Sequence, residues 1–599
     1  MKELYREYKD NIKILLMNIR RFVKYQICTK IILSIILIPF LTFISGILMR
    51  SRGYDYLTNG LIQKFLLSPQ GGILILIGLI FGLLVILIEL GGLLVISYQS
   101  ILGYKESSFQ SIVKYCVCKM KYLFGIDGLF IVCYLFLIAP FLNNDLKTSV
   151  LQNLKIPGFI MDVINSKLSY QVYLALVFII FFILSIRWMF SLNILIQNNK
   201  RVKRPLKESS KMVKNNFGYI VKYTLLMGVF NIIIVGIGIL IYLVFSIILI
   251  FILQSISIEI IILILIGFGF VIFTAISFIF TPFQMILLTK MYLHISKEKE
   301  ELKLKYKIKD HFIDKLMKNK YILSIVLVIS IIFSTLYMYV VVDEMENTKY
   351  SVKITAHRGS STDAPENTLA AIDSAIKNGA DYAEIDVQQT KDGKLVLLHD
   401  KSFKRTTGVD KNVWELNLSD IKKLDAGYLF DGKFKGEKVP TLEEVIDYSK
   451  GKILLNIELK INETDTTLIE DVVKLIEEKK LISQCVVSSL DYKALEEVER
   501  LQPKIKTGYI MFAAFGDLEK LNLDFYSVEE TNINEEFVIN AHRIGREVHV
   551  WTINTTESME SILEYGVDNI ITDNVATLKE LIDEKKEDAK DIMFNNPIG

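Results

Sequence analysis

The chain has 599 residues, 51% of them hydrophobic, a mean hydropathy of +0.38 and a formal net charge of +3. Such a length exceeds one ordinary domain, and so apolar a composition excludes a purely soluble protein. The near-neutral total hides a division, because lysine and arginine predominate in residues 1–343 and aspartate and glutamate in residues 344–599. An acidic half does not attract anionic polymers over long range, which favours small substrates over polymeric ones, and no nucleic acid partner is expected.

The first stretch, residues 1–30, is basic and helix-permissive. The apolar run behind it is too long, and followed by too many others, for a cleavable signal, so it is expected to stay on the chain. Runs long enough to cross about 30 Å of hydrocarbon fall at 31–49, 73–97, 123–142, 171–196, 223–252, 259–289 and 321–342. This predicts an α-helical polytopic membrane domain over 1–343 with seven spans. The connections 98–122, 197–220 and 290–320 are rich in lysine and arginine, whereas 50–72, 143–170 and 253–258 carry fewer. By the positive-inside rule the basic loops and the N-terminus are cytoplasmic. An odd number of spans then places everything after Val342 outside the cell, in a multi-pass protein of the plasma membrane. The division of 223–289, interrupted by Gly236 and Gly238, decides this, since one crossing more or fewer reverses the side.

Glu89, Asp127 and Arg187 fall within spans, where charge is tolerated when paired or facing a cavity. Pairing of Glu89 with Arg187 would fix the packing of the second and fourth spans. Gly91 and Gly92 allow close helix approach. The basic linker 290–320 alternates lysines with Leu302, Leu304 and Tyr306, a pattern suited to an anionic bilayer surface. Of the five cysteines only Cys485 lies beyond residue 343, so no disulfide can form within that half, and Cys116-Val117-Cys118 lacks zinc-site spacing.

From Val352 the pattern changes. Strand-like runs at 352–357, 381–387, 453–459, 484–489, 506–511, 524–528, 547–553 and 568–572 alternate with helix-like intervals, which predicts an α/β domain over 344–599 folded as a (β/α)8 barrel. The interval 401–448, with Trp414, Tyr428 and Phe430, is too long for a loop and is expected to form an insertion over the barrel mouth that selects substrate.

The chemistry concentrates between Ile354 and Asp400. His357 and Arg358 end the first strand. Glu384 and Asp386, two apart on the second, project from one face and make half of a hard-cation site. The turn Lys391-Asp392-Gly393-Lys394 reads as a hairpin that sets His399 opposite Asp386. Farther on, Glu458 and Lys460 share a strand face. Three carboxylates supply oxygen donors suited to Ca²⁺ or Mg²⁺ rather than Zn²⁺, and two histidines and two cations suit phosphate ester hydrolysis.

The ordered motifs HRG (357–359), PENT (365–368), EID (384–386), HD (399–400), PTLEEV (440–445), ELK (458–460), WTIN (551–554) and the terminal VDNIITDN make residues 354–578 resemble the glycerophosphodiester phosphodiesterases. The resemblance implies the same barrel, a divalent metal at Glu384, Asp386 and Glu458, and hydrolysis of glycerophosphodiesters to sn-glycerol 3-phosphate and an alcohol. His357 and His399 are the expected acid and base pair, in either order, with His399 as a metal ligand the alternative. The attacking oxygen is water or the substrate's own neighbouring hydroxyl. Arg358 and Lys460 are expected on the phosphate and Trp551 on the glycerol carbons, while Glu366 and Asn367 brace the loop. His542 and His549 match no motif and are read as structural. Two other readings stand beside this one: a lysophospholipase D acting on bilayer lipids, and a membrane transporter or sensor with the barrel as its binding or regulatory module.

Overall fold

The computed structural model describes residues 2–122, 164, 167–197, 205–252, 258–297, 352–462 and 467–595. It divides into two compact units: residues 1–48, 68–156 and 163–343 form one, and residues 49–67, 157–162 and 344–599 the other.

Among the described residues, five helical stretches are long and apolar enough to cross a membrane: Lys9–Arg50, Pro69–Leu102, Leu168–Gln197, Ile232–Ile252 and Ala275–Ser296. The expected spans at 123–142 and 321–342, Asp127 and residues 298–320 of the basic linker lie outside the described residues. Local sequence sets the helix ends. Ser68 caps the second stretch by accepting the Gly71 N–H at 3.2 Å, with Pro69 at the first helical position, where its missing N–H is harmless. Gly92 has a packing reason: the Tyr25 hydroxyl lies 1.9 Å from where a Cβ would sit, and it donates to the Ile88 carbonyl at 2.7 Å. Only glycine admits that approach. Glu89 lies in the π-turn Leu87–Gly91, and Arg187 in the last turn of the helix Leu168–Trp188. Outward faces stay apolar, with Ile232 and Phe251 each 75% exposed, as lipid contact requires.

Among its described residues the second unit carries eleven strands: β1 (Tyr56–Thr58), β2 (Lys353–Ala356), β3 (Tyr382–Gln389), β4 (Leu395–Leu397), β5 (Leu454–Leu459), β6 (Cys485–Ser489), β7 (Lys506–Met511), β8 (Ala514–Gly516), β9 (Phe525–Glu529), β10 (Glu547–Trp551) and β11 (Asn569–Thr572). Eight are parallel neighbours in the order β2-β3-β5-β6-β7-β9-β10-β11, and β11 pairs with β2, closing a barrel. These are the eight runs expected from sequence. β3 is buried at all eight positions, the polar side chains of Glu384, Asp386, Gln388 and Gln389 included. The surrounding helices are amphipathic. In Leu468–Glu478 the buried residues are Leu468, Val472, Val473 and Ile476, at helical spacing, and each such side chain contributes about 1.5–3 kcal/mol of burial.

β4 folds back antiparallel on β3 through the predicted turn, but its register corrects one expectation. Val387 pairs with Leu397 and the Leu398 N–H donates to the Asp386 carbonyl at 3.0 Å, so Leu398 rather than His399 stands opposite Asp386. His399 lies one residue beyond the ladder, where the chain turns away. The insertion at 401–448 packs Phe403, Val413, Ile421, Ala426 and Val439 against Val396 and Leu398 of the β4 arm, in a core separate from that of the barrel.

Candidate active site

Parallel strands bring all their C-terminal ends to one rim. In register, Asp386 of β3 pairs with Glu458 of β5, which sets two carboxylates side by side across neighbouring strands. Glu384, two residues earlier on the same face, joins them, and ligand oxygens of the three lie within 4.8 Å of one another. All three are buried. Lys460, just past β5, places its ammonium 2.9 Å from Asp386 Oδ1 and 2.5 Å from Glu458 Oε1. Arg358 donates its backbone N–H to Glu384 Oε2 at 2.8 Å, and its Nε lies 3.9 Å from Asp386 Oδ2. Among the described residues that buried Nε has no hydrogen-bond partner. The backbone at Arg358 takes the left-handed conformation, φ 52°, which ordinary side chains rarely adopt and which aims the N–H at the carboxylate.

Asn367, also left-handed, locks Asp386 twice: its amide donates to Oδ2 at 2.7 Å and its carbonyl accepts the Asp386 N–H at 3.0 Å. Burial alone would raise Asp386, but the charges of Lys460, His399 and Arg358 and the Asn367 bond outweigh it and hold the group well below the ordinary carboxylate range. Glu384 goes the other way. Burial and the neighbouring Asp386 charge push it up to about 8. The cluster therefore lacks positive charge: Lys460 and Arg358 support ionisation of two carboxylates but not readily of three. A divalent cation among three oxygen donors would remove that deficit, so the residues fit one, and they suit Ca²⁺ or Mg²⁺ better than softer metals.

The two histidines are anchored differently. His357 Nδ1 lies 2.7 Å from Asp573 Oδ1, and Asp573 also receives Ser361 at 2.5 Å and Asn554 at 2.6 Å. Burial would lower His357, but the Asp573 bond raises it above its ordinary value. His399 Nδ1 lies 2.9 Å from Asp400, which is paired through Arg405 at 2.8 Å. Arg405 forks onto Glu366 at 2.5 and 2.7 Å, and Glu366 meets Arg358 at 3.3 Å. A ladder of ions thus runs from His399 back to the carboxylates. Trp551 ends β10, its indole N–H donating to the Ser527 carbonyl at 3.1 Å. His549 is buried and stacks on Phe525 at 4.0 Å, and His542 pairs with Asp568 at 2.8 Å.

Sequence reasoning singled out Glu366 and Asn367 but missed Asp573, Asp400 and Arg405 as partners of the histidines. Asp573 stands in the quoted terminal motif, and an acidic residue closing the last strand was the available signal. A barrel with a buried carboxylate cluster, two cations and two anchored histidines at its strand ends defines a phosphoric ester hydrolase.

Comparison with known proteins narrows the class. A family described as the membrane domain of glycerophosphoryl diester phosphodiesterase matches residues 8–340, and the glycerophosphoryl diester phosphodiesterase family matches residues 357–577. The chain belongs to the membrane-anchored glycerophosphodiester phosphodiesterase family. A glycerophosphodiester phosphodiesterase of Caldanaerobacter subterraneus subsp. tengcongensis is 38% identical over 235 residues, covering 38% of this chain and 97% of that protein. One from Bacillus subtilis is 33% identical over 239 residues, covering 36% and 82%. A solved structure of an Oleispira antarctica phosphodiesterase in complex with the product sn-glycerol-3-phosphate is 30% identical, covering 39% of this chain and 98% of that one, with a TM-score of 0.37.

Proposed function

We propose that the barrel hydrolyses glycerophosphodiesters to sn-glycerol 3-phosphate and an alcohol, outside the plasma membrane, with a divalent cation, Ca²⁺ or Mg²⁺, held by Glu384, Asp386 and Glu458. The observation that carries this is the buried cluster of those three carboxylates, short of positive charge, beside Lys460 and Arg358 at the strand ends. When bound, the cation would neutralise phosphate charge and polarise the ester toward attack.

The chain's own residues then have distinct tasks. Lys460 and Arg358 offer a point charge and a planar fork to the phosphate oxygens, stabilising the charge that develops as the bond breaks. The Arg358 Nε, which has no hydrogen-bond partner among the described residues, is a donor suited to such an oxygen. His357 and His399 form the proton-transfer pair: one takes the proton from the attacking oxygen, of water or of the substrate's neighbouring hydroxyl followed by water opening the cyclic ester, and the other gives one to the departing alcohol oxygen. Each has Nδ1 committed to a carboxylate, which leaves Nε2 for the reaction. Trp551 offers an apolar face to the glycerol carbons, and the insertion at 401–448 selects the alcohol.

The test is release of glycerol 3-phosphate from glycerophosphoethanolamine by the full chain in detergent, with EDTA and after restoring Ca²⁺ or Mg²⁺. Release that EDTA abolishes and one cation restores is the expected result. Failure to release product with either cation, by protein shown to be folded, refutes the proposal.

A further inference from the structure

The loop joining the first two apolar helices is built into the catalytic unit. β1, in this loop, pairs antiparallel with β8, with Tyr56 opposite Gly516, Leu57 opposite Phe515 and Thr58 opposite Ala514. The ladder extends at both ends, since the Asp517 N–H donates to the Asp55 carbonyl at 3.1 Å and the Asn59 N–H to Ala513 at 3.4 Å. Side chains fit as closely. The Asn59 amide donates to the Ile510 carbonyl at 2.7 Å and its oxygen accepts the Phe512 N–H at 3.1 Å, so one buried side chain satisfies both a donor and an acceptor of the barrel backbone. Thr58 and Tyr509 share a hydroxyl bond of 2.6 Å, Asp55 pairs with Lys520 at 2.9 Å, and the Tyr56 ring meets Tyr492 edge-on at 6.1 Å. Thr58 has no exposed surface. Gly516 completes the fit from the barrel side. At φ +97° it suits glycine, and a Cβ there would sit 2.5 Å from the Asp55 carbonyl.

β8 follows β7 directly, on the rim where the barrel strands end and the candidate active site lies. We infer that residues 49–67 are a working part of the catalytic domain, a strand and a short helix, Asn59–Leu66, that hold the connection after β7, and that this loop and the barrel lie on the same side of the bilayer. A segment hydrogen-bonded to the barrel cannot be separated from it by a membrane. The chain between residues 67 and 352 therefore crosses an even number of times. This resolves the stretch that sequence left ambiguous: the helices Phe217–Ile252 and Ile258–Ser296 cross twice, as two separate spans, if the four other runs at 73–97, 123–142, 171–196 and 321–342 each cross once. The inference stands whether or not the barrel hydrolyses the proposed substrate.

Two measurements on the full chain in native membranes test it, in a background whose own cysteines are replaced by serine. The double variant Leu57→Cys with Phe515→Cys should form a disulfide on mild oxidation, recovered as a linked peptide by mass spectrometry. Its absence at oxidant levels that exhaust the free thiols overturns the pairing. Separately, Arg52→Cys and Lys433→Cys, both at exposed positions, are treated with a membrane-impermeant maleimide in intact cells. Both labelled, or both protected until permeabilisation, supports one side for loop and barrel; one labelled without the other overturns it. Protection of both would refute only the external location proposed above.

Discussion

His357 and His399 are one residue type held by two kinds of scaffold. His357 follows β2 and is gripped by Asp573 from the adjoining strand end, inside a ring that includes Ser361 and Asn554, with 21% of its side chain exposed. His399 sits beyond β4 at the root of the insertion, 33% exposed, and is steadied by Asp400, Arg405 and Glu366. Strand ends of a closed barrel fix a side chain through the whole fold. An insertion fixes one through local ion pairs, which salt and truncation can loosen. The comparison teaches that two histidines proposed to share one task need not be equally robust.

Removing either ring is the largest expected effect. His357→Ala and His399→Ala should each lower kcat by about 10²–10⁴-fold with unchanged circular dichroism. A p-nitrophenyl ester in place of the alkyl diester separates the roles, because a leaving group that needs no proton restores the rate of the acid variant alone. Equal restoration of both, or of neither, breaks the assignment of complementary roles.

Asp573→Asn comes next. It keeps the shape of the ring around His357 but removes the charge that raises the imidazole, so His357 should lose its proton at lower pH. The limb of the pH profile of kcat/KM that belongs to His357 should move to lower pH, with kcat down by roughly 10–100-fold, as for other residues that orient a reacting group. A loss of rate with an unmoved limb would leave Asp573 as a purely structural residue.

Which of these features could be read from the chain depended on distance along it. The barrel strands are short apolar-rich runs, and Glu384 and Asp386, like Glu458 and Lys460, follow from alternation along one stretch of chain. His399 was placed one residue off because the turn at 391–394 does not itself fix register; hydrogen bonds such as Leu398 to Asp386 do. Asp573 lies 216 residues from His357, and only closure of the barrel makes them neighbours. β1 was invisible for a different reason: three residues with no alternation carry no strand signal, and the Asn59 contacts exist only against the folded barrel.

The insertion side predicts a smaller, salt-sensitive effect. Arg405→Ala removes the fork on Glu366 and both bonds to Asp400, while leaving His399 and Arg358 in place. Loss of about 10-fold in kcat is expected, within the range for residues that orient a reacting group. The wild-type rate should fall modestly between low salt and 0.5 M NaCl, and the variant should respond less. If Arg405→Ala instead matches His399→Ala, the insertion is as rigid a support as the barrel.

The smallest effect concerns Glu384, where the two scaffolds meet the carboxylates. Its folded value, about 8, lies above the ordinary 4.5 because burial and Asp386 disfavour its charge. A group raised in this way contributes stability that is present below the unfolded value and lost as pH rises toward the folded one. In EDTA the full chain in detergent should therefore melt at progressively lower temperature between pH 5 and pH 8 by the share that Glu384 carries, and Glu384→Gln should melt with a shallower slope. His357, also raised, contributes a slope of the same sign, so the difference between wild type and variant is the quantity that isolates Glu384. A divalent cation should flatten the wild-type slope, because it favours the ionised form, and its affinity should rise with pH up to about 8 as the bound proton no longer competes. Parallel melting slopes for wild type and Glu384→Gln in EDTA would mean that the third carboxylate is already ionised without a cation, and the charge deficit that supports the metal site would be gone.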